Sequence, residues 1–414
     1  MSVESLLSDI RDIGRDRTRG GYSRPVYSTA ELELREWFIA AATSRGLAVE
    51  TDRNGVIWAW WDVPGGDRTG AIVTGSHLDS VPGGGEYDGP LGVASALAAI
   101  DTLRATGTVP PRAIAVAVFP EEEGSGFGVA CLGSRLLTGA ITPDRARNLR
   151  DDSGATFAER SAAAGVDPRH IGTDRDALAR IGTFIELHVE QGRGLIDLRQ
   201  PIAIGSSILG HGRWRISISG QGNHAGTTHM VDRRDPMIPA AKLVLAIQEI
   251  AAGTHDARAT VGRIEPVPGG TNVIASRVDV WVDVRHPDDE VTTDLVARIR
   301  RRAGALAEAS RCDAVMVEES FSPTARFDPD LAAHLATVLP DAPVLDTGAG
   351  HDAGVLAGHV PTAMLFVRNP TGISHSPEEL VETADAEAGA LALATALTNV
   401  DVAHTISVDV TERR

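Results

Sequence analysis

The sequence predicts an α/β fold in which a larger domain with a mixed, largely parallel sheet carries a smaller, inserted α+β domain. Apolar runs at 71–74 and 113–119 flank a helical stretch, which is the strand-helix-strand order of a βαβ unit with parallel strands. From about residue 210 the strands instead alternate apolar and polar residues, as half-solvated antiparallel strands do. Short buried runs return after residue 340. We therefore expect a larger domain of residues 1–209 and 323–414 and an inserted domain of residues 210–322.

Capping and turn residues predict the elements before the first buried strand. Residues 28–46 are predicted to form a helix in which Ser28 and Glu31 make a capping box. A hairpin that turns at Asn54-Gly55 comes next. The chain therefore reaches the strand at its core through a helix and a two-stranded ribbon.

The middle of the larger domain is predicted from helix boundaries and apolar runs. The helix after the first buried strand starts at Pro90, which suits a first turn, and stops at Gly107. Residues 140–182 are polar and rich in Arg and Asp, and we expect them to form helical cover. Residues 181–192, IGTFIELHVEQG, are predicted to be another strand. Polar residues follow the carboxyl ends of these strands, where open α/β sheets bind ligands.

The inserted domain is predicted to have the order β-α-β-β-α-β with antiparallel strands, as in a small α+β sandwich. Its elements are the strand GRWRISISGQG, the helix Pro236–Gly253, the strands ATVGRIEP and SRVDVWVDVRHP, and the helix EVTTDLVARIRRRAGALAEAS. The strand TAMLFV and a final helix then complete the larger domain.

The composition is that of a globular protein with an acidic surface. The chain has 414 residues, 43% hydrophobic and 23% charged, which is enough for two domains and a large core. Its net charge of −17 argues against nucleic-acid and anionic-membrane partners. The two cysteines suit a reducing compartment, and we see neither a signal peptide nor the roughly 18 apolar residues of a membrane span. We therefore expect a cytoplasmic protein.

The stretch from Gly75 to Gly92, GSHLDSVPGGGEYDGPLG, holds the first candidate site. On an extended backbone, His77 and Asp79 point to the same side, and a glycine-rich loop then delivers Asp88. An imidazole with carboxylates at a strand end is typical of a divalent-cation site. Taken alone, the stretch also fits a strand with a polar edge and a glycine-rich turn.

Three consecutive glutamates, Glu121 to Glu123, follow the second buried strand. Their mutual repulsion is costly unless a cation or solvent offsets it. Neighbouring side chains diverge along the chain, so that one glutamate could bind a metal while its neighbour acts as a general base toward water. The other interpretation is an ordinary charged loop.

His188 follows an apolar run, and His375 lies in a Gly/Pro-flanked loop. Singly, the first fits a core histidine and the second a surface histidine. Together with His77, Asp88 and a glutamate of 121–123 they match the ligands of a two-cation hydrolase centre.

Three residues of the inserted domain could contact a substrate. Arg285, at a strand end, could bind a carboxylate through two hydrogen bonds, although a solvated surface arginine is equally compatible with the pattern. His224 and Asn272 could donate hydrogen bonds to a developing oxyanion. Asn272 also fits a simple turn residue.

These motifs, in this order, resemble the M20 metallopeptidase clan. Within it they resemble the amidase branch of N-carbamoyl-L-amino acid hydrolases, allantoate amidohydrolases and β-ureidopropionases. The matching stretches are GSHLDSVPGGGEYDGPLGV, EEEGSGFG, GSR at 133–135, ELHVEQG, NHAGTT, GTNVIASRVDVWVDVRHPD, GAGHDA and GISHSPEE.

The resemblance implies roles for individual residues of the larger domain. Glu122 would be the general base, and Asp79 would orient His77 through its far ring nitrogen. Two divalent ions (zinc, manganese or cobalt), bridged by Asp88, would be bound by His77, Asp88, Glu123, His188 and His375.

The resemblance also implies a substrate and an assembly. The substrate would be a small N-carbamoyl or ureido acid whose C–N bond is hydrolysed with release of ammonia and carbon dioxide. The inserted domain would be a lid through which two chains form a homodimer. The substrate contacts would be Gln191, His224, Asn272 and Arg285.

Two departures from the family pattern bear on the substrate. The family often has Arg where this chain has Gly126, and Pro where it has His229. His351, in GAGHDA, could line the pocket, and its role stays open. A dipeptidase or aminoacylase of the same clan would use the same metal ligands, and a catalytically silent binding protein would keep only the fold.

Overall fold

The computed structural model describes residues 1–400 and divides the chain into two compact units. Unit 1 consists of Met1–Ser207 and the chain from Arg326 onward, and unit 2 is Ile208–Ala325. Within residues 1–400, no helix combines the length and apolar character that crossing a bilayer requires.

The helices are numbered in chain order. They are α1 (Val3–Ile10), α2 (Thr29–Ser44), α3 (Pro90–Ala105), α4 (Leu132–Thr138), α5 (Pro143–Arg147), α6 (Phe157–Ala163), α7 (Arg175–Arg180), α8 (Gly194–Leu198), α9 (Met237–Ala252), α10 (Asp289–Ala309), α11 (Pro329–Val338), α12 (Asp352–Leu356) and α13 (Thr383–Asn399).

The strands are numbered in the same way. They are β1 (Ala48–Thr51), β2 (Ile57–Trp61), β3 (Ala71–His77), β4 (Ile114–Phe119), β5 (Ile181–Val189), β6 (Ile202–Ile208), β7 (Gly210–Ser219), β8 (Asn223–His224), β9 (Arg258–Val267), β10 (Val273–Ile274), β11 (Arg277–His286), β12 (Asp313–Ser322), β13 (Ala325–Arg326), β14 (Val344–Thr347) and β15 (Thr362–Val367).

The large sheet has a parallel centre and antiparallel edges. Its strand order is β1-β2-β4-β3-β5-β15-β6-β13, with β14 paired to β6. The neighbours β4, β3, β5 and β15 run parallel, whereas β1, β2 and β6 pair antiparallel. The predicted α/β fold with a mixed, largely parallel sheet is confirmed.

Apolar side chains fix the layers of unit 1. The central strands β3 and β4 are buried along their whole length, as strands covered on both faces are. One core joins the sheet to α1, α2, α3 and α13, and α3 contributes leucines and alanines from every side. A separate cluster around Phe127, Leu132 and Phe157 packs beneath α4, α5 and α6. The sheet is therefore held rigidly where its carboxyl ends carry the candidate site.

Unit 2 is a four-stranded antiparallel sheet with the order β12-β7-β11-β9. Trp214, Ile216 and Ile218, at alternate positions of β7, belong to one apolar core with residues of α9 and α10. The element order β7-α9-β9-β11-α10-β12 is the predicted β-α-β-β-α-β order. The strands β8 and β10 form a separate two-stranded ribbon.

Local signals were accurate at most boundaries but not in every contact. The hairpin β1–β2 turns at Asn54-Gly55, as predicted. Ser28 accepts the Glu31 N–H, but the Glu31 carboxylate binds the Tyr27 N–H and Arg35 rather than the Ser28 N–H. The predicted capping box is therefore wrong in one of its two bonds.

Candidate metal centre

The candidate site lies where four neighbouring parallel strands end. His77 is the last residue of β3, and His188 is the penultimate residue of β5. The loops after β3, β4 and β15 supply Asp88, Glu123 and His375. Because the carboxyl ends of parallel strands share one edge of a sheet, residues far apart in sequence meet there.

The side chains of His77, Asp88 and His188 form what we call the inner position. Their ligand atoms lie within 4.8 Å of one another. Asp88 Oδ1 is 3.2 Å from His188 Nε2 and 3.8 Å from His77 Nε2. The side chains of His77 and His188 are only 1% exposed. The inner position is therefore closed to bulk water.

Hydrogen bonds to the main chain orient both inner imidazoles. Nδ1 of His77 lies 2.9 Å from the Asp79 carbonyl oxygen, and Nδ1 of His188 lies 2.9 Å from the Val189 carbonyl oxygen. A carbonyl oxygen accepts only, so each Nδ1 carries a proton, and each Nε2, once deprotonated, is the atom that would bind a cation. The two Nε2 atoms face each other at 3.4 Å. Two lone pairs and a carboxylate directed at one point fit a divalent cation.

The side chains of Asp88, Glu123 and His375 form the outer position. Their ligand atoms also lie within 4.8 Å of one another. His375 Nε2 is 3.4 Å from Asp88 Oδ2 and 3.4 Å from Glu123 Oε2. Asp88 thus directs one oxygen to each position, as a bridging carboxylate does. In contrast to the inner histidines, His375 is 50% exposed.

Burial and nearby charge act differently on the two inner histidines. Burial lowers the pKa of His77 to about 4, even though the Asp88 carboxylate raises it. Burial also lowers the pKa of His188, but the Asp88 and Glu186 carboxylates outweigh this effect and raise the pKa to about 9. The carboxylates of Asp88 and Glu186 therefore favour a positive charge at His188. A divalent cation bound to neutral His188 would provide that charge in place of a proton.

The carboxylates of Glu122 and Glu123 are buried at an energetic cost. Burial, and then repulsion from Glu123 and Asp352, raises the pKa of Glu122 well above its usual range. Burial, and then repulsion from Asp88, raises the pKa of Glu123 likewise. Within residues 1–400, Glu123 Oε1 is buried without a hydrogen-bond partner. Bound cations would remove both penalties, so this donor set fits divalent metal ions.

Glu122 faces the inner position without belonging to it. Its Oε2 lies 3.7 Å from His77 Nε2, and its Oε1 lies 3.5 Å from the Cys131 thiol. Its side chain is buried. A carboxylate beside the ligands, not among them, is placed to exchange a proton with a reacting group.

Asp79 connects the two loops that follow β3 and β4. Its carboxylate accepts the main-chain N–H of Glu122 at 3.2 Å and that of Glu123 at 3.1 Å. The main-chain carbonyl of Asp79 holds the His77 ring, whereas its carboxylate lies 3.8 Å from Nδ1. The main chain of Asp79 therefore orients the His77 ring, whereas its side chain holds the glutamate loop.

Glu121 shapes the same loop, a role that the sequence did not reveal. Its buried carboxylate accepts the N–H of Gly126 at 3.2 Å and also that of Phe127. Burial and the nearby Asp79 raise its pKa to about 8. The three consecutive glutamates thus have different surroundings. The backbone of Glu121 is left-handed, with a φ of +56°.

Gly89 allows Asp88 to approach the inner histidines. Its φ is +86°, and a Cβ atom at this position would lie 2.5 Å from the His77 ring. Any other residue would therefore collide with a ligand in a backbone conformation that already favours glycine. The helix α3 begins at the next residue, Pro90.

Gln191 lies among the ligand loops. Its amide nitrogen donates to Asp88 Oδ2 at 3.1 Å and to the Ser374 hydroxyl at 3.0 Å. The predicted substrate contact is thus bonded to a candidate ligand and to the residue before His375.

In unit 2 the ribbon β8–β10 brings two of the predicted residues together. His224 pairs with Val273, and the N–H of Ala225 donates to the Asn272 carbonyl at 3.0 Å. Arg285 lies in the four-stranded sheet instead. It donates from Nε and Nη2 to the Asp283 carboxylate at 2.7 and 3.2 Å.

Two buried polar residues lie behind the candidate ligands, and the sequence reasoning missed one of them, Glu186. Glu186 accepts the Ser76 hydroxyl and the Ala353 N–H, both at 3.0 Å. Its position two residues before His188 on a strand places it on the same face, a signal that could have found it. The His351 ring lies 4.5 Å from the His188 ring, and both of its nitrogens lack a hydrogen-bond partner in the described part of the chain.

Comparisons with known proteins agree with this geometry. The model of peptidase family M20/M25/M40 matches residues 73–399. The chain is 33% identical to the N-carbamoyl-L-amino acid amidohydrolase of Geobacillus stearothermophilus, over 93% of this chain and 94% of the relative. It is 32% identical to the allantoate amidohydrolase of Escherichia coli K12, over 95% and 96%.

A solved structure of an amidase has the same fold as this chain. The amidase of the hydantoinase/carbamoylase family from Burkholderia multivorans superposes with a TM-score of 0.84 and 30% sequence identity. The match covers 96% of each chain. The chain therefore belongs to peptidase family M20/M25/M40, within its branch of hydantoinase/carbamoylase amidases.

Proposed function

We propose that this chain is a metal-dependent amidohydrolase that cleaves the C–N bond of an N-carbamoyl or ureido group on a small carboxylic acid. Water and the ureido acid would yield ammonia, carbon dioxide and the freed amino or ureido acid. One observation carries the proposal: Asp88 directs its two oxygens to two separate groups of metal ligands. The relatives named N-carbamoyl-L-amino acid amidohydrolase and allantoate amidohydrolase support this substrate class.

Two divalent ions bound here would polarise the ureido carbonyl and make the attacking water more acidic. His77 and His188 would bind one ion, and Glu123 and His375 the other, with Asp88 shared between them. Zinc, manganese and cobalt all suit imidazole and carboxylate ligands.

Glu122 would act as the general base. It would take a proton from the attacking water and deliver it to the leaving nitrogen of the tetrahedral intermediate. Its carboxylate is buried and lies 3.7 Å from His77 Nε2, so it is placed to accept a proton and keep it until the C–N bond breaks. Asp79, through its bonds to the N–H groups of Glu122 and Glu123, would keep this carboxylate in place.

The substrate contacts remain part of the proposal. Arg285 would bind the substrate carboxylate, with Asp283 holding the guanidinium in place through two hydrogen bonds. His224 and Asn272 would donate hydrogen bonds to the developing oxyanion, each worth about 3–4 kcal/mol to the transition state. Gln191, whose NH₂ group is bonded to Asp88, would contact the substrate through its amide oxygen.

A substrate panel tests the reaction class. Chelator-stripped protein is refilled with Mn²⁺, Zn²⁺ or Co²⁺ and given N-carbamoyl-L-amino acids, 3-ureidopropionate, allantoate and dipeptides. We expect ammonia release from at least one ureido acid. Cleavage of dipeptides alone, detected as new free amine without ammonia, would instead support the dipeptidase or aminoacylase alternative. A protein that binds no metal and turns over none of these compounds would support the silent binding protein.

We further propose a homodimer that forms through unit 2. The helix α9 exposes Met237, Ile238 and Leu245, and β9, against which α9 packs, is an edge strand that exposes Ile264. An unpaired edge beside apolar side chains favours pairing with a second copy. Sedimentation should give a dimer, and the double variant Ile238→Glu, Leu245→Glu should give a monomer. A monomeric wild-type protein at micromolar concentration would contradict the proposal.

The cytoplasmic location that the sequence predicts also stays a prediction. Fractionation of cells that express the tagged chain would test it, with the protein expected in the fraction that holds the cytoplasm.

A further inference from the structure

We propose that Glu379 is a positioning residue for the outer position, and that it acts through a hydrogen-bonded ring with Tyr87, Asp88, Gln191 and Ser374. We call these five residues the clasp. It would set the distance between the loop that carries Asp88 and the loop that carries His375. The inference rests on the proposed two-ion function, because it concerns the same metal centre.

Each oxygen of the Glu379 carboxylate holds the residue that immediately precedes a ligand. Oε1 accepts the main-chain N–H of Tyr87 at 3.2 Å, one residue before Asp88. Oε2 accepts the hydroxyl of Ser374 at 3.0 Å, one residue before His375. The Glu379 residue is only 4% exposed. One buried carboxylate therefore joins the two loops at the points where their ligands begin.

Gln191 closes the ring from the other side. Its amide nitrogen donates to the Ser374 hydroxyl at 3.0 Å and to Asp88 Oδ2 at 3.1 Å. Ser374 thus accepts a hydrogen bond from Gln191 and donates one to Glu379. Asp88 and Glu379 are buried, and the other three members are partly buried. A hydrogen-bond network in which every member has a partner holds the groups at its ends in one geometry.

The packing around Glu379 fixes its carboxylate. A Cβ atom at Gly85 would lie 2.1 Å from Glu379 Oε1 and 2.4 Å from its carboxyl carbon. Gly85 therefore provides the space that the carboxylate fills, and the glycine-rich loop closes directly over it. The position of Glu379 therefore explains why the third residue of this glycine run is a glycine.

The outer position needs such a restraint more than the inner one. His77 and His188 lie in strands, and the main chain orients their rings. His375 lies in a loop, is half exposed, and has a φ of +56°. This left-handed conformation costs a non-glycine residue about 1–2 kcal/mol. Contacts outside the residue must therefore hold it, and Ser374 provides them.

Metal binding, measured without substrate, tests the clasp. Stripped protein is dialysed against graded Mn²⁺, and the bound ions are counted by mass spectrometry. We expect the wild type to bind two ions. In Glu379→Ala the first ion should bind within about twofold of the wild type and the second about 10–100-fold more weakly, the usual cost of losing a residue that supports a metal ligand.

Three further variants sharpen the test. Glu379→Gln keeps an acceptor for the Tyr87 N–H and should give an intermediate loss of affinity for the second ion. Gly85→Ala should reproduce the loss by displacing the carboxylate, and it carries the test if Glu379→Ala does not fold. Asp174→Asn is the matched control, because Asp174 is a buried carboxylate that caps α7 and pairs with Arg53. It should bind both ions like the wild type.

The outcomes separate the clasp from the proposed function. A Glu379→Ala protein that binds both ions with wild-type affinity, or that loses both equally, would overturn the clasp alone. A wild-type protein that binds fewer than two ions would overturn the two-ion centre, and the clasp with it.

Discussion

His188 and His375 both direct Nε2 toward Asp88, but the chain holds them in different ways. His188 is 1% exposed, lies in a central strand and hydrogen-bonds a main-chain carbonyl. His375 is 50% exposed, lies in a loop and depends on neighbouring side chains. The sheet itself therefore positions the inner half of the candidate metal centre, whereas the outer half lies on loops joined by hydrogen bonds. We expect the two halves to differ in metal affinity, with the inner ion bound more tightly.

Removing the shared ligand should have the largest effect. Asp88→Ala takes one oxygen from each half and leaves the inner histidines without a carboxylate. We expect mass spectrometry to find neither ion at micromolar metal and ammonia release to fall to that of protein-free controls. Retention of one tightly bound ion would show that Asp88 does not bridge the two halves.

Glu122→Gln should abolish most turnover while leaving both halves intact. The change removes a proton acceptor that faces the inner position but belongs to neither ligand group. General-base loss predicts a decrease in kcat of about 10²–10⁴-fold. Bound-ion counts measured on the same sample should equal those of the wild type. Full turnover in this variant would refute the base assignment.

Single histidine variants distinguish the halves directly. His375→Ala should lose the outer ion and keep the inner one, and His188→Ala should weaken the inner ion. Losing a ligand should cost more than the roughly 10–100-fold typical of a supporting hydrogen bond. Timed treatment of the wild type with a chelator should likewise remove the ions in two phases, the exposed outer ion first. Simultaneous loss of both ions in every case would contradict the comparison.

Asp79→Asn should have the smallest effect of this set. The asparagine oxygen can still accept one of the two N–H groups of Glu122 and Glu123. The NH₂ group of the amide faces the second N–H, which is left without an acceptor. Leaving a buried N–H unpaired costs about 1–3 kcal/mol. Denaturant unfolding of the metal-free protein should show a loss of this size, with Asp174→Asn as a control for a different buried carboxylate. An unchanged free energy of unfolding would mean that Asp79 does not hold the glutamate loop.

The sequence predicted the local structure around the candidate site well. The capping residue Ser28 and the start of α3 at Pro90 depend on neighbouring residues, and the structure reproduces them. The strand β3, by contrast, continues to His77, beyond the apolar run 71–74 that predicted it. The parallel order of the strands then explains why candidate ligands from the ends of two strands and from three loops meet. The matched motifs added individual roles that spacing alone left open.

Long-range partners could not be predicted in this way. Glu379 and Tyr87 are 292 positions apart, and nothing near either residue indicates the bond between them. Glu121 has a left-handed backbone conformation, and its carboxylate accepts a hydrogen bond from its own loop. A run of three acidic residues indicates neither feature. The strands β6 and β14 were also missed: a glycine and two serines at 205–207 interrupt the apolar run of β6, and β14 has only four residues.

One titration tests the central claim most directly. Stripped protein receives Mn²⁺ in steps while bound ions and ammonia release from the best ureido acid of the panel are recorded together. We predict little ammonia release with one ion bound and a steep rise as the second ion binds, because the outer half completes the centre. Full release with a single ion, or two bound ions with no release from any ureido acid, would contradict the account.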